Sequence, residues 1–195
     1  MTRGKKWFTE EEKDRLREQL CNECEKSWRT VGYGKTSISV LTKKVGISTG
    51  AFYTLYPSKE DLFLLTFKQL RERQMQTVNS IITENPTVEG GIEAIKYTYR
   101  LYNENPFLYD LASPDFWALI NKLPPGKWEE IIRGNADFLS VLVEKIRLTP
   151  KVSPQKIHAV IATLMYTITF KGKIPYDNYE IFEFLVDCSI KELFE

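Results

Sequence analysis

Apolar residues recur along most of this chain at spacings of three and four, the period of a helix buried along one side. Leu16, Leu20, Cys24 and Trp28 form one such stripe, and Leu62, Leu65, Leu70, Val78 and Ile81 offer another. No run alternates with the period of a strand over useful length, and no segment repeats. Thr9-Glu10-Glu11-Glu12 reads as a capping box, opening a helix that ends near Gly32-Tyr33-Gly34. A short helix capped by Thr36 carries Ile38, Leu41 and Val45 and closes at Gly46. Ser48 caps a second short helix through Phe52 and Tyr53, and Pro57 stops it. A long helix follows from Ser58 to about Glu84, where Asn85-Pro86 breaks it.

Further on, proline punctuates the pattern into helices over 87–104, 106–112, 114–122 and 127–148. Ser153-Pro154 places a cap and a first-turn proline at the head of a helix to Phe170, and Asp177 or Asn178 starts the last one. The fold class is therefore all-α, with about nine helices. The two terminal helices carry more apolar surface than one stripe each. One set is Ile157, Val160, Ile161, Leu164 and Ile168, and a second is Ala159, Ala162, Tyr166 and Phe170. The final helix has Tyr179, Phe182, Leu185, Val186 and Leu193, with Ile181, Phe184 and Cys188 beside them. Two apolar faces cannot both meet one core, so a homodimer packed through the last two helices is expected.

Composition changes this picture little. Apolar residues are 43% and charged residues 27% of 195, ordinary for a globular chain. The near-continuous apolar stretch from Ile157 to Phe170 is shorter than the roughly 20 residues a membrane span needs. The N-terminus lacks the pattern of a signal peptide, and three cysteines without disulfide spacing suit a reducing compartment. The expectation is a cytoplasmic protein that avoids membranes.

Charge is more informative than its sum. The 27 basic and 26 acidic residues nearly cancel. Between Arg29 and Lys59, however, lie Lys35, Lys43 and Lys44 and no acid at all. A surface of that sign attracts polyanions, nucleic acid foremost. The same segment holds two short helices joined at Val45-Gly46-Ile47-Ser48, the spacing of a helix-turn-helix. Such a pair buries an inner stripe and presents its second helix to a DNA major groove. That helix offers Ser48, Thr49, Gly50, Ala51 and Tyr53 outward, small or hydrogen-bonding residues suited to base edges and phosphates. Lys59, just beyond, is placed to hold a second phosphate.

The stretch from Thr36-Ser37-Ile38 through Lys43-Lys44-Val45-Gly46-Ile47-Ser48-Thr49-Gly50-Ala51-Phe52-Tyr53, then Tyr56-Pro57-Ser58-Lys59-Glu60-Asp61-Leu62, resembles the signature of the tetracycline-repressor (TetR/AcrR) family. The resemblance covers roughly residues 10–65 and implies a homodimeric one-component regulator. A DNA-binding domain would occupy 1–60 and an effector-binding and dimerisation domain 61–195. By position it implies phosphate contacts from Tyr53 and Lys59, and base or backbone contacts from Ser37, Ser39, Thr49, Gly50 and Ala51. With Lys35, Thr36 and Ser48 these make the candidate DNA-contacting set. Thr42 departs from the family's usual alanine, and its hydroxyl is expected to bond a carbonyl of the preceding turn. Thr54-Leu55 replaces a more polar pair, and Ser39 stands where arginine is frequent.

Other chemistry finds less support. Gly34-Lys35-Thr36 lacks both the upstream glycine and the strand of a phosphate loop. Cys21 and Cys24 have metal-like spacing but lie within one helix with no second ligand pair, so buried thiols are expected and no metal. No nucleophile motif accompanies His158, so neither catalysis nor a cofactor is expected. Aromatic residues cluster between 97 and 138. Most should be core, but the resemblance implies that some line a cavity for a small apolar or aromatic effector. The candidates are Tyr102, Phe116, Trp117, Trp128 and Phe138, with His158 and Tyr166. A binding or scaffolding protein with a vestigial helix-turn-helix is the alternative.

Overall fold

The computed structural model describes residues 8–105, 113–128 and 149–194. Among these residues the chain forms α1 (Glu10–Lys35), α2 (Ile38–Val45), α3 (Thr49–Leu55), α4 (Lys59–Glu84), α5 (Val88–Glu104), α6 (Pro114–Ile120), α7 (Pro154–Tyr166), a 3-10 turn (Thr167–Phe170) and α8 (Asn178–Leu193). No named strand occurs among them, only a bridge between Pro150 and Phe194. The helix expected at 106–112 lies outside the described residues, as does most of that expected at 127–148. The all-α class and the helix count agree with the pattern of apolar positions.

Two compact units divide the chain: Met1–Gln69 with Leu111–Pro124, and Leu70–Asp110 with Pro125–Glu195. The first unit extends to Gln69, within α4. Helix α4 continues past it, and α6, remote in sequence, joins the first unit.

In the first unit the expected capping box forms. Thr9 Oγ1 accepts from Glu12 N–H at 3.1 Å and the Glu12 carboxylate accepts from Thr9 N–H at 2.9 Å, worth about 1 kcal/mol. The stripe Leu16, Leu20, Cys24 and Trp28 is buried as its spacing requires. Trp28 packs on Phe63 with ring centroids 4.7 Å apart, and Phe67 meets Phe116 at 6.3 Å. Both cysteines of α1 are buried thiols. Burial pushes the Cys24 thiol up to about 12.

Helix α1 kinks at Gly32, whose φ of 80° lies in the left-handed region. The kink turns two successive amides outward. Asp115, from the first turn of α6, covers both: Oδ2 accepts from Tyr33 N–H at 2.6 Å and Oδ1 from Gly34 N–H at 2.7 Å. A Cβ on Gly32 would lie 2.6 Å from Asp115 Oδ2, so the position excludes a side chain.

The cap of α2 differs from expectation by one residue. Ser37, not Thr36, is the N-cap, its hydroxyl accepting from Val40 N–H at 3.3 Å. Thr36 is 3% exposed. Its hydroxyl donates to Gly32 O at 2.7 Å and so accepts from Ser27 Oγ at 2.8 Å. Burial of a hydroxyl demands such partners, and the kink at Gly32 supplies one of them.

The second unit is built on Val78, Ile82, Ile95, Tyr99, Ile157, Ile161, Phe182, Val186 and Ile190. Tyr99 stacks on Phe182 with centroids 3.6 Å apart. Asn178 Nδ2 donates to Thr167 O at 2.9 Å and also reaches the Tyr99 hydroxyl, which ties the start of α8 to α5. The helix expected to run to Phe170 instead tightens at Thr167, where the hydroxyl donates back to Leu164 O at 2.7 Å.

Candidate nucleic-acid interface

Helices α2 and α3 pack against each other in the first unit, joined by a turn that Gly46 makes possible. Its φ is 79°, its N–H donates to Lys43 O at 3.3 Å, and Ile47 N–H donates to Thr42 O at 2.9 Å. Those bonds satisfy the last carbonyls of α2 and aim the chain directly into α3. Ser48 caps α3 by accepting from Ala51 N–H at 3.1 Å. Leu41, Phe52 and Leu55 face inward. The Thr42 hydroxyl donates to Ser39 O at 3.2 Å, as expected for a threonine at that site.

What remains outward is Ser48, Thr49, Gly50, Tyr53 and Thr54, all exposed, with Ala51 half-buried. Tyr53 is 54% exposed, braced edge-on by the buried Phe52 ring. Gly50 has room for a side chain, the nearest atom to an added Cβ being Ser48 Oγ at 3.8 Å. Packing within the protein therefore does not demand glycine there. A bare backbone at a helix N-terminus suits close approach by a phosphate or base edge. Thr54 spends its hydroxyl on Ala51 O at 2.7 Å, leaving less to offer a ligand.

Around this turn the expected residues divide. Lys35 and Ser39 are exposed and Ser37 half-buried, its Oγ 3.1 Å from that of Ser39. Thr36 is turned in. Lys44 pairs with Glu23 at 3.2 Å, whereas Lys43 is exposed and has no acid partner among the described residues. Lys59 is half-buried: Nζ donates to Tyr33 O at 2.6 Å and lies 4.0 Å from the Tyr33 ring centroid. Desolvation, then Lys122, lowers its pKa. One ammonium hydrogen is thus committed to the end of α1, while two others are left for an anion. Tyr33 OH donates to Glu60, so the same ring anchors both first residues of α4.

Of the expected effector residues that are described, Phe116 and Trp117 fall in the first unit and Tyr102, Trp128, His158 and Tyr166 in the second. Phe116 is buried in the first unit against Phe67, and Trp117 beside it is exposed. Tyr102 is half-buried in the second unit, its hydroxyl accepting from Arg71. Trp128 is half-buried, and Phe138 lies outside the described residues. His158 and Tyr166 are exposed on α7, because Ile157, Ile161 and Leu164 take the inward stripe. Sequence reasoning missed Asp115 and Arg71. Neither lies in a motif, and each is defined by partners distant along the chain or on a neighbouring helix turn.

The geometry defines a helix-turn-helix on an all-helical chain. Residues 25–66 match the family described as bacterial regulatory proteins, tetR family. Over that segment the chain is similar to the tetR family. It is 29% identical over 84 residues to uncharacterized HTH-type transcriptional regulators of Mycobacterium tuberculosis and Mycobacterium bovis. That match spans 42% of this chain and 43% of theirs, less than half of each. The fold is also that of a tetR-family regulator from Agrobacterium tumefaciens, at a TM-score of 0.66 and 15% identity, covering 94% of this chain and all of that one. A transcriptional regulator from Cytophaga hutchinsonii aligns at a TM-score of 0.65 and 15% identity, covering 90% and 97%.

Proposed function

We propose that the protein is a homodimeric DNA-binding transcriptional regulator, a repressor released from a palindromic operator by a small apolar or aromatic effector. The observation that carries this reading is the outward face of α3. Ser48, Thr49, Gly50 and Tyr53 stand exposed at the end of a glycine turn, and no acid lies between Arg29 and Lys59. Phosphates and base edges are what such a surface fits. The matched family and the relatives' description as HTH-type transcriptional regulators support it.

Pairing of two copies has a physical motive, since one helix-turn-helix reads few base pairs and two reading a palindrome multiply the discrimination. Helices α7 and α8 supply the surface. Tyr166, Phe170, Phe184 and Cys188 are exposed, Tyr166 at 67% and Phe184 at 69%, while the opposite stripes fill the core. Residues 59–69 of α4 belong to the first unit and 70–84 to the second. A displacement of α4 on effector binding would change the spacing of two α3 helices and cost operator affinity. No helix among the described residues is long and apolar enough to cross a membrane, in keeping with the cytoplasmic site such a regulator needs.

The test is binding of the purified protein to genomic fragments, including its own upstream region, at physiological salt with competitor DNA. A specific shift with palindromic protection is expected. Binding that is blind to sequence and vanishes with salt would sink the operator-reading assignment and favour the scaffolding alternative.

A further inference from the structure

The second unit holds a cation to which no described residue supplies an anion. Arg71 on α4 is half-buried, and its described partners are neutral. Nη1 donates to Gln74 Oε1 at 2.9 Å and to the Tyr102 hydroxyl at 2.7 Å. Gln74 is itself buried, with Nε2 directed at Thr98 Oγ1 3.5 Å away. The Thr98 hydroxyl donates to Ala94 O at 3.0 Å. Arg71 Nε, by contrast, is buried and has no hydrogen-bond partner.

A guanidinium cannot shed its proton to escape burial, so the charge and the orphaned donor both persist. Leaving them uncompensated is costly. The arrangement is also directional. Two neutral acceptors fix Nη1, while Nε, which forms the opposite edge with Nη2, has no hydrogen-bond partner. That edge carries two parallel N–H bonds, the fork that grips a carboxylate in bidentate fashion. Among the described residues the rest of the cluster consists of an amide and hydroxyls, so with Arg71 it balances one negative charge and not the two of a phosphate monoester.

We propose that Arg71, held in register by Gln74 and Tyr102, is the anion-reading residue of the effector site, and that the effector is a small organic carboxylate. This inference rests on the effector-responsive reading above and adds the chemical group recognised. Tyr102 then acts as a positioning residue, orienting the fork through Nη1.

The experiment measures thermal midpoints and calorimetric binding of the full chain with benzoate, phenylacetate, hexanoate and decanoate. Each acid is matched by its primary amide, and sodium chloride holds ionic strength constant. At least one acid should raise the midpoint where its amide does not. Arg71→Gln should abolish that rise, and Arg71→Lys, which keeps charge but loses the fork, should weaken binding about tenfold. If every acid acts no better than its amide, or if Arg71→Gln binds as wild type does, the proposal is overturned. Should Arg71→Gln fail to fold by circular dichroism, Arg71→Lys decides, and undiminished affinity in it overturns the bidentate site. DNA binding is followed in the same samples. Acid binding without specific DNA binding would retain this site and remove the regulator reading, and the reverse result would remove only the site.

Discussion

The carboxylate of Asp115 occupies the space that a side chain on Gly32 would need, an added Cβ there lying 2.6 Å from Oδ2. One residue lacks a side chain so that another, 83 positions later, can reach the amides of Tyr33 and Gly34. Gly32→Ala should therefore destabilise twice, through left-handed backbone strain of about 1–2 kcal/mol and by displacing the carboxylate. Asp115→Ala should cost about 1–3 kcal/mol by leaving two N–H groups without their acceptor. Because both changes disrupt one contact, the double variant should cost less than the sum. Urea unfolding of the four proteins checks this, and strict additivity would disprove the shared contact.

Tyr53 and Lys59 differ in what else they do. Tyr53→Phe or Tyr53→Ala should leave stability within about 0.5 kcal/mol, since the ring is exposed, and should weaken DNA binding across sequences. Lys59→Ala should also lower the slope of log affinity against log salt by about 1 if its ammonium neutralises one phosphate. It should cost some stability as well, because Nζ holds the end of α1. An unchanged salt slope would leave Lys59 a purely internal residue.

Thr36→Ala separates two readings of a residue beside the turn. Buried with its hydroxyl shared between Gly32 O and Ser27, it should lose about 1–2 kcal/mol of stability on truncation. The salt slope of DNA binding should not move. A changed slope at unchanged stability would place the hydroxyl on DNA instead.

Phe184→Glu tests pairing through α7 and α8. Wild-type chain should sediment as a dimer at micromolar concentration, and the variant as a folded monomer. An exposed aromatic at the centre of an interface is typically worth about 2 kcal/mol or more. A variant that remains dimeric would move the interface elsewhere.

Alkaline pH should reveal the buried thiol. Cys24 is held near 12 in the folded chain against an ordinary 9.0. Between those values the folded state keeps a proton that the unfolded state has lost, so stability is intact below about pH 9 and falls as pH rises. Tyr33 and Tyr56, also raised by burial, act in the same direction at higher pH. Urea midpoints from pH 8 to 11 should decline, less steeply in Cys24→Ala. With a thiol reagent at pH 8, Cys21 and Cys24 should react only after unfolding.

The helix-turn-helix was readable because its determinants are local. Ser48 and Gly46 set the ends of short helices, and the buried Leu41 and Phe52 fall at the required spacing. The choice between Thr36 and Ser37 as cap was not readable. It depends on Ser27 and on the kink at Gly32, which bring Thr36 inward. Asp115 is an ordinary first-turn acid until the fold delivers it 81 and 82 residues back along the chain. Arg71, followed by Glu72 and Arg73, has the look of a solvated helix face. Only its placement beside Gln74 and Tyr102 distinguishes it. The contact of Phe116 with Phe67 within the first unit was likewise not readable, since it depends on where α6 docks.

That docking sets a timetable for synthesis. The first unit draws on residues up to Gln69 and then on Leu111–Pro124. When residue 69 leaves the ribosome, Tyr33 and Gly34 still have no carboxylate and Phe67 no Phe116. Elongation at about 5–20 residues per second makes the wait on the order of several seconds. Through that interval the nascent helix-turn-helix unit is unfinished, and it closes only after the whole of the second unit's first segment, Leu70–Asp110, has emerged.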